Sequence, residues 1–114
     1  MATRGKSARR KGHQFERDIA NEFKALGWSK AKRHQENQAV EALEGRDLDY
    51  TEPFLVQTKK HKKYVSIGCI KQIQEIKGMY PLLITKGDNQ KTVAVMYWED
   101  LKELLKSCKK EGIF

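Results

Sequence analysis

Glu16, Asp47, Gln57 and Lys59 are the residues whose types and order point to chemistry. Two carboxylates, an amide oxygen and an ammonium match what phosphodiester hydrolysis needs at neutral pH. That reaction uses oxygen ligands for a hard cation, an activated water, and positive charge beside the scissile phosphate. The carbonyl of Thr58 would add a further oxygen ligand. Lys59 would orient the attacking water or stabilise developing charge. The competing explanation is a solvated hairpin rim, which is what most isolated Asp, Gln and Lys residues are.

The elements around these residues decide whether they meet. Thr51-Glu52-Pro53 reads as a bend, because proline cannot donate to a sheet ladder. Residues 48–50 and 54–59 on either side read as the strands of a hairpin. Alternation along the second strand puts Leu55, Gln57 and Lys59 on one face and Phe54, Val56 and Thr58 on the other. A hairpin centred near Glu52 opposes Asp47 to Gln57, with Cβ atoms about 5 Å apart. Asp49 would oppose Leu55, so Asp47 is the acid this register brings to Gln57, with Asp49 and Glu52 as the other candidate acids of the stretch.

Glu16 belongs to a helix. Phe15, Ile19, Ala20, Phe23 and Leu26 recur at helical spacing, and Gly27 is placed to stop it. Glu16 lies at the edge of this apolar face, whereas Arg17, Asp18 and Glu22 look solvent-facing. An interfacial glutamate is costly unless it is paired or binds a cation. An exposed flank position is the alternative.

Residues 28–35 read as a short connection or edge strand, and residues 36–44 as a loop or helical turn. Ser66 is a candidate N-cap for a second helix with Cys69, Ile70, Ile73 and Ile76 as its stripe, ending near Lys77-Gly78. Residues 80–85 read as a buried strand and 92–98 as the next, joined by the turn at 86–90 into a second hairpin. A last helix starts at Glu99 or Asp100, with Leu101, Leu104 and Leu105 inward and Lys106, Lys109 and Lys110 at its negative end. The order helix, strands, helix, strands, helix predicts an α/β sandwich around a mixed sheet. Residues 1–11 read as a flexible basic arm and residues 12–114 as one domain.

Charge is the strongest bulk signal. The 114 residues carry 23 Lys and Arg against 15 Asp and Glu, a net charge of +8. An excess of this size on a small domain favours nucleic acid as the partner. Arg4, Lys6, Arg9, Arg10 and Lys11 in the arm would follow a phosphate backbone, and the alternative is a solubilising tail. Arg17, Arg33, Lys60, Lys62 and Lys63 extend the basic surface. Anionic lipid would want an amphipathic basic helix, and no clean one is present. No run is apolar enough for a membrane span, and the basic start lacks the apolar core of a secretory signal. Cys69 and Cys108 read as free thiols of a reducing, cytoplasmic setting. His13, His34 and His61 show no zinc spacing with them. No glycine-rich phosphate loop precedes a helix, so no nucleotide cofactor is expected.

The arrangement resembles the PD-(D/E)xK nuclease superfamily, and within it the archaeal-type and phage-encoded Holliday junction resolvases. Lys11-Gly12-His13-Gln14-Phe15-Glu16-Arg17 is similar to the family's opening helix, whose Glu is a metal-site residue. Gly45-Arg46-Asp47-Leu48 resembles its strand carrying the central Asp. Val56-Gln57-Thr58-Lys59 sits where the family has Glu-x-Lys. The likeness runs from about Lys11 to the final helix. Each motif is short, and the three in order give it weight. It implies a restriction-endonuclease-like sheet flanked by helices, with metal ligands at Glu16, Asp47, Gln57 and Thr58 and catalysis by Glu16, Asp47, Gln57 and Lys59. It also implies Mg²⁺, with Mn²⁺ able to substitute, and a homodimer that makes paired nicks in four-way DNA junctions. Trp98, Ile113 and Phe114 would be interface candidates.

Gln57 departs from the pattern. Its amide is an uncharged ligand, so metal affinity should fall. A Gln-x-Lys version resembles the Mrr-type branch and is equally what a Glu→Gln inactivating change would leave. Three functions therefore stay open: a junction resolvase, an Mrr-like duplex nuclease, and a catalytically silent nucleic-acid-binding module. A phage-encoded protein acting in the host cytoplasm fits the size and the resemblance.

Overall fold

The computed structural model describes residues 2–34 and 45–114, with side chains from Ser7 onward. Residues 36–44, expected as a loop or turn, lie outside this description. Helix α1 spans Ala2–Leu26, followed by β1 (Lys32–Arg33), β2 (Leu48–Asp49) and β3 (Phe54–Lys60). A 3₁₀ turn at Ile67–Gln72, β4 (Tyr80–Lys86), β5 (Val93–Val95) and α2 (Trp98–Lys110) complete the chain. The result is a mixed α/β fold, as the order of periodic segments implied.

Phe15, Ile19, Ala20 and Phe23 of α1 are buried, and they pack with Val56 of β3 and Ile84 of β4. The helix ends as a Schellman motif: Trp28 N donates to Phe23 O at 3.0 Å and Gly27 N to Lys24 O at 3.1 Å. Gly27 takes the positive φ that the motif requires, a conformation glycine adopts without a Cβ penalty. Leu26, expected in the stripe, is 72% exposed because the chain turns away at this cap. The helix also begins much earlier than Gly12. The basic segment expected as an arm is the first turns of α1.

β3 and β4 pair in parallel, with Gln57 opposite Leu83, and β5 adds antiparallel to β4. Alternation places Val56 and Ile84 under α1, while Leu55 and Leu83 face Ile70 and Ile73 on the other side. The β4–β5 pair forms as expected, with β5 confined to three residues.

Two further expectations need correction. The first is the hairpin between residues 48–50 and 54–59. β2 pairs instead with β1, Lys32 opposite Asp49 and Arg33 opposite Leu48. It touches β3 through Asp47 N donating to Val56 O at 2.7 Å. Leu48 and Ala31 are buried within the α1 core, which draws β2 toward β1 beyond that point. The second is the helix after Ser66. Ser66 Oγ caps Gly68 N at 3.2 Å, but the turn stops at Gln72 and Ile73 is extended. Ile73 is buried beside Leu55 and Leu83.

Helix α2 has Glu99 and Asp100 in its first turn and Lys109 and Lys110 in its last, matching the macrodipole. It buries no residue fully; Leu101 and Leu104 are half-buried and Leu105 is exposed. Among the described residues, no helix is long and apolar enough to cross a membrane.

Candidate active site

A cleft of about 240 Å³ is lined by Glu16, Arg33, His34, Gly45, Arg46, Asp47 and Gln57. Three segments build it: the buried half of α1, the β1–β2 pair with the residues just before β2, and the middle of β3. Gly45 makes the close approach possible. Its φ is positive, and a Cβ there would collide with the backbone carbonyl of Gln72.

Asp47 is fixed by β3. Its Oδ2 accepts the backbone N–H of Thr58 at 2.7 Å, and the Thr58 hydroxyl stands 3.5 Å away. With Asp47 N on Val56 O, the contacts of Asp47 bracket Gln57. Asp47 and Gln57 are therefore brought to one cleft by this corner, in place of the expected hairpin ladder. Burial raises the Asp47 pKa above the usual carboxylate value, opposed by the Thr58 N–H and the positive charge of Lys59. Lys59 follows Gln57 by two residues on the same strand, half-buried, and does not line the cleft.

Glu16 sits at the edge of the α1 core, with Oε2 3.5 Å from Arg33 Nη1. Its pKa is also raised, by burial first and then by the charge of Asp47, against His13 and Arg33. Two carboxylates thus share a poorly solvated space and repel each other. Gln57 is buried; its Nε2 donates to Gln72 Oε1 at 2.9 Å, and its Oε1 has no hydrogen-bond partner. Arg33 Nη1 and His34 Nε2 are likewise buried without a hydrogen-bond partner. Unsatisfied buried polar groups cost about 1–3 kcal/mol each; Gln57 Oε1 and His34 Nε2 are two such atoms on residues lining one cleft, while Arg33 Nη1 has the Glu16 carboxylate as its ionic partner.

His34 has no role that its sequence context suggests. Its Nδ1 lies 2.8 Å from Asp49 Oδ1, and both residues are buried. Arg46 Nε approaches the same Asp49 oxygen at 3.6 Å. Asp49 is therefore committed to His34 and Arg46, and Glu52 is exposed in the bend; neither lines the cleft. The spacing of 15 residues between His34 and Asp49 leaves no periodic trace, so only the β1–β2 pairing exposes the contact.

The cations expected on nucleic acid divide into groups. Arg17 and Arg33 line a second cleft of about 400 Å³ with Lys24 and Lys32, which adjoins the first at Arg33. Arg9, Arg10 and Lys11 are exposed on α1. Arg9 lies two turns before Glu16 on the same helix face, about 10 Å along the axis. Arg4 and Lys6 belong to the same helix. Lys60, Lys62 and Lys63 are exposed at the far end of β3; Lys62 O accepts Asp88 N from the β4–β5 turn. The structure does not bring these three to the cleft.

Among the described residues, no group of three or more His, Cys, Asp or Glu side chains is arranged to hold a metal ion. Glu16 and Asp47 supply two carboxylates, and the third position of the set is the amide of Gln57. The chain matches no protein-family model, no curated protein and no solved structure with which it was compared.

Proposed function

We propose that the chain is a divalent-metal-dependent, structure-selective DNA endonuclease that resolves four-way junctions by paired nicks. The observation that carries this reading is the cleft of Glu16, Asp47 and Gln57. Two carboxylates with raised pKa values and an unpartnered amide oxygen converge there, beside a basic cleft. Their mutual repulsion is what a cation would relieve, so the residues fit Mg²⁺, or Mn²⁺ in its place. Glu16, Asp47, Gln57 Oε1 and the carbonyl of Thr58 would hold it. When bound, such an ion polarises the phosphate and lowers the pKa of a water.

The protein's own residues supply the rest. The Thr58 N–H keeps the Asp47 carboxylate in one orientation. Lys59 places positive charge near Asp47 and would stabilise charge developing on the phosphate. Arg33, Lys32, Lys24 and Arg17 would bind phosphates of the strand entering the site, and Arg9, Arg10 and Lys11 would carry that path along α1. Contacts of this kind read shape and charge with little base information. A two-fold symmetric junction suits a cyclic homodimer. Trp98, Ile113 and Phe114 are 60%, 64% and 68% exposed and would contribute to its interface. The free thiols of Cys69 and Cys108 suit a cytoplasmic setting, in keeping with a phage-encoded enzyme acting inside its host.

A second reading is a nucleic-acid-binding module without cleavage. The amide at Gln57 favours it, since the described residues then lack a third acid. A labelled four-way junction and a matched linear duplex, each with Mg²⁺, Mn²⁺ or EDTA, separate the possibilities. Paired symmetric nicks in the junction alone support the resolvase. Equal cutting of the duplex supports an Mrr-like nuclease. Tight binding without cleavage in either metal supports the binding module.

A further inference from the structure

The nuclease reading leaves one buried pair, His34 of the cleft wall and Asp49 behind it, without a task. His34 is 7% and Asp49 9% exposed, and their side chains meet at 2.8 Å through Nδ1 and Oδ1. A carboxylate has no proton to donate, so Nδ1 must carry the hydrogen of this bond. In the neutral ring the lone pair is then on Nε2. That atom is buried and has no hydrogen-bond partner, while His34 lines the cleft with Glu16, Asp47 and Gln57.

One contact holds the ring and two hold the backbone that carries it. Asp49 fixes its Nδ1 edge, and Asp49 is itself approached by Arg46 Nε at 3.6 Å. The backbone N–H of His34 donates to the carbonyl of Asp47 at 2.7 Å, tying the histidine to the central acid. The β1–β2 register, with Arg33 opposite Leu48, fixes the distance between the two segments. A histidine with one nitrogen bound to a buried carboxylate has its tautomer and ring plane set in advance. What this arrangement offers is a single oriented acceptor.

We infer that His34, oriented by Asp49, accepts a hydrogen bond from the attacking water and points its oxygen at the phosphorus. The inference rests on the nuclease reading and deepens it. It assigns to Asp49 the role of a positioning residue that acts through His34. It also gives a function to the acid not chosen as the central one. In this arrangement His34 Nε2 and Gln57 Oε1 are two acceptor atoms without a hydrogen-bond partner on residues that line one cleft.

The test reads tautomer and turnover separately. Imidazole ¹⁵N NMR of the full chain at alkaline pH should show His34 protonated at Nδ1 and bare at Nε2. Asp49→Asn can donate its amide N–H to Nδ1, so the hydrogen should move to Nε2. With a four-way junction and Mg²⁺ in single-turnover assays, Asp49→Asn and His34→Ala should each cut about 100-fold more slowly than the parent. Junction Kd should be unchanged in both. His34→Gln, whose amide oxygen reaches toward the place of Nε2, should be faster than His34→Ala. If Asp49→Asn fails to fold, the parent tautomer and the His34→Gln to His34→Ala comparison still decide. A parent ring protonated at Nε2 would overturn the inference. So would full cleavage by His34→Ala. A parent that binds the junction and never cuts it would show that the nuclease reading itself had failed.

Discussion

Replacing Asp47 separates two duties that the structure gives it, holding β3 and serving the cleft. Its Oδ2 is the acceptor for the Thr58 N–H, at 2.7 Å in half-buried surroundings. Asp47→Ala leaves that N–H without an acceptor in a buried part of β3, at a cost of about 1–3 kcal/mol. Asp47→Asn keeps a carbonyl oxygen in the same place. A neutral bond replaces a charge-assisted one, a loss of about 1 kcal/mol. Against this, the substitution removes a buried negative charge that also repels Glu16. The asparagine variant should therefore stay within about 1 kcal/mol of the parent, and the alanine variant should lose about 1–3 kcal/mol. At about 4 °C per kcal/mol for a domain of this size, the alanine change lowers Tm by about 4–12 °C. Urea and thermal unfolding in EDTA, followed by Trp28 fluorescence in a Trp98→Phe background, make the comparison. Trp28 packs edge-on against Phe23 and Phe54, at ring distances of 5.3 and 6.2 Å, so its emission reports this core. An alanine variant as stable as the parent, or an asparagine variant as unstable as alanine, would refute the assigned bond and the role of burial with it.

Gln57→Glu adds a third carboxylate where two already repel and gives up the 2.9 Å bond to Gln72; the metal-free Tm should fall while the Tm rise on adding Mg²⁺ grows. An equal rise in both proteins would remove Gln57 from the metal set. Glu16 and Asp47 have folded-state pKa values above their ordinary ones, so their contribution to stability is lost as pH rises through the folded values. In EDTA, stability should decline less over that window for Glu16→Gln than for the parent, and identical pH slopes would contradict it. Deleting residues 1–10 removes Arg4, Lys6, Arg9 and Arg10 and spares Phe15 onward, so the fold should hold. Junction affinity should weaken, and the salt slope should fall by about one unit for each phosphate no longer neutralised, about four at most. An unchanged slope would return the segment to a solubilising role.

How much is legible from sequence depends on the length of the signal. The α1 face has enough periodic residues to give both the helix and its stop at Gly27, and the buried run of β4 stands out by continuity. Strands β1 and β2 have two residues each, too few for any alternation to appear. Their pairing, and the buried contact of His34 with Asp49 that it creates, are invisible for that reason. The stripe after Ser66 has helical spacing, yet tertiary burial of Ile73 pulls it into an extended conformation. Lys60, Lys62 and Lys63 adjoin Lys59 in sequence, but a strand carries its residues away from the site at about 3.3 Å each. Asp47 and Gln57 line the same cleft, with Asp47 held by the backbone of Val56 and Thr58 on either side of Gln57 and not by a hairpin register.

The most direct measurement is single-turnover cleavage of a labelled four-way junction by the parent and by Asp47→Asn, at matched junction binding, in Mg²⁺ and in EDTA. The parent should make paired nicks in Mg²⁺ alone. Asp47→Asn should bind unaltered, with cleavage reduced by at least about 1,000-fold. Cleavage by Asp47→Asn at the parental rate would contradict the assignment of this cleft as the active site.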